Sequence, residues 1–136
     1  MKLRVAVFDE NDTNRYWLWE VLDERGYEVF TFPDPGLCLN NVRPGTKCDR
    51  NCDCVDVIIA DLKIPNIFSL GAVEGQIRNG CQCEYFALMN GEWSGDDIEY
   101  ADKVGCRVFE KPVTKKIIEW LDEVEETIRQ KRKAQT

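Results

Sequence analysis

Asp9 and Glu10, Asp61, Asn90 and Lys111 follow closely on short apolar runs of the chain, and their types make a chemically coherent set. Three carboxylates gathered in one place repel one another unless a cation intervenes, and hard oxygen donors of this kind suit Mg²⁺ or Mn²⁺. An ammonium beside them can pair with a carboxylate or meet a phosphoryl oxygen. Carboxylate, lysine and divalent metal are the equipment of phosphoryl transfer, in which positioning and charge neutralisation do most of the catalysis. An aspartate can itself be the nucleophile and form an aspartyl phosphate. The chain has no histidine. Nucleophile–base pairs that need imidazole, and metal sites that need it, are therefore excluded.

These residues come together only if the elements before them lie side by side. Residues 3–8 form a β-type run that stops at Asp9. Asp12 is a candidate N-cap for a helix over 13–25, with Leu18, Val21, Leu22 and Arg25 on one face, and Gly26 ends it. A second strand follows at 27–31, then a short helix over 35–42 with Pro35 in its first turn. Residues 43–54 are polar and turn-rich, a surface loop carrying cysteines. The run 55–60 is nearly continuous in apolar residues, which suits a central parallel strand covered on both faces. A helix over 68–78, interrupted by Gly71 and Gly75, leads to a fourth strand at 84–89. A helix over 95–103 and Gly105 lead to a fifth strand at 106–110. Thr114 can cap a last helix to about Lys131, with Ile117, Ile118, Leu121, Val124 and Ile128 inward.

Five strand–helix units with short links imply a parallel sheet with helices on both faces. Ligands of such sheets lie beyond the carboxyl ends of the strands, at the switch point in strand order. For one charged residue, solvation in a loop is the simpler reading. Four of five strand ends carrying matching chemistry favour a site instead. The second strand delivers only Pro33 and Asp34.

At 136 residues and 43 % hydrophobic content the chain fits one globular domain, with a core over 3–129 and a basic tail at 130–136. The net charge of −7 lacks the basic footprint of a nucleic-acid binder. No apolar run reaches the roughly 18–20 residues of a membrane span, and residues 1–8 meet Asp9 too soon for a signal peptide. The expected location is the cytoplasm.

Phe-Asp9-Glu10, Ile-Ile-Ala-Asp61-Leu-Lys-Ile-Pro65 and Phe-Glu-Lys111-Pro112-Val, in that order and spacing, resemble the signature of response-regulator receiver domains. The resemblance implies a flavodoxin-like three-layer α/β sandwich with a five-stranded parallel sheet in the order 2-1-3-4-5. It implies a stand-alone receiver in two-component phosphorelay signalling. Asp61 would accept a phosphoryl group from a sensor histidine kinase, a phosphotransfer protein or a small acyl-phosphate donor. Asp9, Glu10, Asp61 and the backbone carbonyl of Lys63 would hold Mg²⁺ or Mn²⁺, Lys111 would steady a phosphoryl oxygen, and Lys111-Pro112 would be a cis peptide. Lys63 and Glu92 would flank the path of attacking water and set phosphoryl lifetime.

Some positions depart from that pattern. Glu10 stands for the commoner Asp, Asn90 for Ser or Thr, and Val108 for the aromatic switch residue of strand five. Phe109 is adjacent but should face the other way. Ser69 replaces a glycine, and Phe68 an acidic residue. The alternative is thus a non-switching, receiver-like binding module. A phosphatase reading of Asp9-Glu-Asn11-Asp-Thr13 is disfavoured, because Asn11 cannot act as a general acid; self-phosphorylation and self-dephosphorylation are the only reactions expected.

Seven cysteines in 136 residues fall below the roughly 8–10 % of a disulfide scaffold. Cys48, Cys52 and Cys54 precede strand three, and Cys81 and Cys83 precede strand four, so these thiols could meet at the amino edge of the sheet. They admit a Zn²⁺ site, a redox-sensitive pair, or ordinary reduced thiols. Cys38 and Cys106 read as small core or half-buried residues. Of Trp17 and Trp19, two apart on the first helix, one should face the core. The 92–110 region, with Trp93 and the polar residues of 95–103, is the candidate partner surface.

Overall fold

The computed structural model describes residues 2–33, 55–61, 85–91, 94–111 and 115–134. Strands β1 (Arg4–Phe8), β2 (Glu28–Phe32), β3 (Val57–Asp61), β4 (Tyr85–Asn90) and β5 (Cys106–Glu110) form one sheet in the order β2-β1-β3-β4-β5. Every neighbouring pair is parallel. This is the fold class expected from the sequence. Helices α1 (Asp12–Glu24), α2 (Gly95–Val104) and α3 (Lys115–Ala134) accompany it.

Burial along the strands follows their place in the sheet. All five residues of the central β3 are buried, whereas no residue of the edge strand β2 is more than half-buried. Alternation of side chains divides the core into two layers. Val5, Val7, Val57, Ile59, Ala87, Met89 and Phe109 pack with Leu18 and Leu22 of α1 and with Ile117, Leu121, Val124 and Ile128 of α3. On the other face Ala6, Phe8, Ile58, Ala60, Phe86, Leu88 and Cys106 pack with Ala101 of α2. Phe8 stacks on Phe32 there, ring centroids 5.1 Å apart.

The helix ends differ slightly from the sequence expectation. The N-cap of α1 is Asn11 rather than Asp12; its side-chain oxygen accepts from the Asn14 amide at 2.9 Å. Arg25 is the C-cap rather than a core-facing residue, and its guanidinium pairs with Asp122 on α3. Gly105 ends α2 at φ 88°, a left-handed conformation that glycine adopts without penalty. Helix α3 continues to Ala134, so the basic residues Lys131, Arg132 and Lys133 form its last turn instead of a tail. Cations there complement the negative end of the helix dipole.

The inward stripe of α3 contains Trp120, while Ile118 is only partly buried against the core. Trp120 lies against Phe109 of β5, centroids 5.6 Å apart. The expectation that Trp17 or Trp19 faces the core is not met: they are 42 % and 37 % exposed. Leu18 and Leu22 already fill the inner face of α1, and residues one position to either side point outward. The helices expected at 35–42 and 68–78, the 43–54 loop and a cis bond at Pro112 lie outside the described residues.

Candidate functional site

Strand register brings the site together. Phe8 is paired with Ala60, so the next residues, Asp9 and Asp61, leave adjacent strands side by side. Asp61 is paired with Met89, which sets Asn90 one step beyond it. Asn90 is paired with Glu110, and Lys111 follows. The Lys111 amide donates to the Asn90 carbonyl at 2.8 Å and fixes where the lysine leaves the sheet.

The two aspartates are buried: Asp9 is 0 % exposed and Asp61 7 %. The Lys111 ammonium lies between them, donating to Asp61 Oδ2 at 2.9 Å and to Asp9 Oδ2 at 3.3 Å. The other Asp9 oxygen, Oδ1, accepts from the Asn11 amide at 2.9 Å. Asn90 is buried beside this group at the end of β4. No buried side-chain nitrogen or oxygen among the described residues lacks a hydrogen-bond partner.

Burial pushes the Asp9 carboxyl above its ordinary pKa; the Asn11 amide and the Lys111 charge oppose that rise, and the Asp61 charge adds to it. Burial would by itself lower the Lys111 ammonium. The hydrogen bond to Asp61 and the charges of Asp61 and Asp9 outweigh it and leave the lysine raised. The cation is therefore firmly protonated between two oxygen acceptors.

A divalent ion needs hard oxygens close enough to share it, and two carboxylates that share one ammonium meet that requirement. Glu10 is exposed, and among the described residues no three His, Cys, Asp or Glu side chains are gathered as a metal cluster. Asp9 and Asp61 are the two carboxylates brought together here, and the side chain of Glu10 is exposed. Lys63, Glu92, Trp93 and the cysteines Cys48, Cys52, Cys54, Cys81 and Cys83 lie outside the described residues. Cys38 does too. Cys106 is buried, and burial pushes its thiol up to about 11.

The sequence reading missed Arg15. Its Nη1 donates to the Asp9 carbonyl at 2.6 Å, and its Nη2 pairs with Asp12. The signal available was the i,i+3 spacing of Asp12 and Arg15 in the first turn of α1, next to an acidic strand end. Asn11, which cannot serve as a general acid, caps α1 and braces Asp9. Val108 and Phe109 take opposite faces as expected, Val108 packing on the α2 side and Phe109 under Trp120.

No family model and no curated protein matches the sequence. Solved structures do match. The chemotaxis response regulator CheY4 of Vibrio cholerae superposes with a TM-score of 0.73 at 20 % identity, over 91 % of this chain and 99 % of that one. A CheY-like receiver domain protein from Methanospirillum hungatei gives 0.72 at 20 % identity, over 93 % and 99 %. The BeF3-activated DrrB receiver domain gives 0.72 at 16 % identity, again over 93 % and 99 %. Across nearly its whole length, this chain has the fold of response-regulator receiver domains.

Proposed function

We propose that the chain is a phosphoryl-accepting signalling receiver of the two-component kind, with Asp61 as acceptor. One observation carries the reading: the Lys111 ammonium bridges two buried aspartates at the carboxyl edge of the sheet, at 2.9 and 3.3 Å. An Asp61 oxygen attacks the phosphorus of a phosphohistidine or acyl phosphate. The bond to the donor nitrogen or oxygen breaks, and the donor leaves with that electron pair. Lys111 neutralises charge on the transferred group, and the Asn90 amide would donate to one of its oxygens. Asp9, Asp61 and Glu10, with the Lys63 carbonyl, would hold Mg²⁺ or Mn²⁺, which would supply charge neutralisation for the transfer.

The donor is a sensor histidine kinase, a phosphotransfer protein or a small acyl phosphate, and output is by docking through the 92–110 region. The chain turns over no other substrate. An ion pair between Lys63 and Glu92 would shield the acyl phosphate, so Lys63→Ala and Glu92→Ala should each speed its hydrolysis. Equal dephosphorylation rates in both variants and wild type would remove that role. Among the described residues no helix is long and apolar enough to cross a membrane.

The test is intact-mass analysis after incubation with acetyl phosphate. One phosphoryl group should appear with Mg²⁺, and none in Asp61→Asn or after chelation. An unlabelled wild type would favour the second reading, a binding module that does not switch. That reading draws on Val108, which offers no ring to rotate, and on Phe109, which is buried on the opposite face.

A further inference from the structure

Between α1 and α3 lies a groove of about 470 Å³ lined by Trp17, Val21, Lys115, Ile118 and Glu119. It is separate from the acidic site. Trp17 is 42 % exposed; Tyr16 and Trp19 of α1 are exposed too, but they do not line the groove. An aromatic side chain held open beside Val21 and Ile118 is the composition of an interface centre rather than of a solvated helix face.

The charges on the groove indicate what it takes. Lys115 and Glu119 are exposed, one turn apart on α3, on either side of Ile118 in sequence. Neither has a hydrogen-bond or ion-pair partner among the described residues. A lysine four residues before a glutamate is the weaker order for an intrahelical pair, so each is available to another molecule. One cation and one anion flanking an apolar centre are their own complement under a two-fold rotation. Lys115 of one copy meets Glu119 of the other, and the reverse contact forms by symmetry. This local balance matters for a chain of net charge −7, because a one-signed patch would repel its copy.

We infer that the Trp17–Ile118 groove is a homotypic docking surface, in which a second copy of this chain seats its own α1–α3 face, with reciprocal Lys115–Glu119 pairs at the rim. The contact involves no atom of the Asp61 site, so it holds equally in Asp61→Asn.

Sedimentation velocity of the full chain across a dilution series tests it. Wild type should pass from monomer to dimer, and Trp17→Ala should remain monomeric. Lys115→Glu sets glutamate against glutamate, and Glu119→Lys sets lysine against lysine. Each should weaken self-association by at least about tenfold. Mixing those two variants in equal amounts should restore the dimer, since every rim contact then joins opposite signs. These side chains are exposed and unpaired, so the variants should unfold in urea like wild type. A monomeric wild type overturns the proposal, including the case in which a foreign helix occupies the groove. It is equally overturned by a dimer indifferent to both charge reversals, or by a mixture that fails to recover.

Discussion

Lys111→Met is the sharpest probe of the acidic site. The ammonium stands 2.9 Å from Asp61 and 3.3 Å from Asp9. At an effective dielectric of about 20, those distances correspond to attractions of about 5–6 kcal/mol each, before desolvation and the repulsion between the carboxylates are subtracted. Removing one partner of a buried ion pair typically destabilises a fold by about 3–5 kcal/mol, because the remaining charge stays buried. The Lys111 side chain is 21 % exposed, which lets water replace part of what is lost. The expected loss is therefore at the lower end, about 3 kcal/mol at pH 7. Asp9→Asn should act in the opposite sense. The folded Asp9 pKa is raised above 3.8, chiefly by burial, so the folded chain holds that proton more tightly than the unfolded one. The stabilisation by protonation is complete below the unfolded value and is lost as pH rises through the folded value. At neutral pH the ionised Asp9 is thus a cost. Asp9→Asn should stabilise the chain there, and its advantage should shrink as pH falls toward 4. In the Lys111→Met background it should recover most of the loss, since it removes the more buried of the two repelling charges. Urea unfolding followed by tryptophan fluorescence, in which the buried Trp120 takes part, gives all four corners of the double-mutant cycle. A Lys111→Met loss below about 1 kcal/mol, or one that Asp9→Asn leaves unchanged, would refute the electrostatic account.

Gly105→Ala should cost about 1–2 kcal/mol in the same assay, since φ is 88° and a Cβ there meets nothing within 4 Å; no loss would mean the α2 C-cap lacks that strain. Asn11→Ala should cost about 1–2 kcal/mol through the lost α1 cap, and Asn11→Ser should recover most of it. Cys106, with its thiol pushed up to about 11, should resist iodoacetamide at pH 8 in the folded chain and react in urea, read by peptide mass mapping. Rapid labelling in the native state would contradict its burial.

Much of this architecture was readable because its determinants are local. The unbroken apolar run of β3 announces a strand covered on both faces, and Gly26 and Gly105, at φ 87° and 88°, are the turns that follow α1 and α2. Asp9, Asp61, Asn90 and Lys111 could be assembled from sequence because parallel strands end on the same edge, whatever the packing behind them. What escaped depends on distance in three dimensions. Nothing in the order of residues says that Arg15 turns back to the Asp9 carbonyl, or that Arg25 crosses to Asp122 on α3. Trp17 and Trp19 misled because tryptophan is usually drawn inward. On α1 the core stripe is narrow and two leucines suffice to fill it.

Strand parity also separates the residues of the acidic site from the side chain at position 108. Met89 and Phe109 are paired across β4 and β5 and share one layer, in which Phe109 meets Trp120 of α3. Leu88 and Val108 are paired in the other layer, on the side of Ala101 and α2. A ring at position 108 could rotate between the site and the α2 side, but valine is β-branched and has no ring to move. Phe109 cannot take over, because reaching that side would mean shifting β5 by one residue. Such a slip would turn every side chain of the strand over, carrying the charged Arg107 along with Phe109 toward the α2 layer and taking Cys106 and Val108 out of it. The site residues do not depend on what stands at position 108, because each is fixed by where its own strand ends. In the receiver proposed above, an output through the α2 side has no aromatic side chain to turn at position 108 of β5.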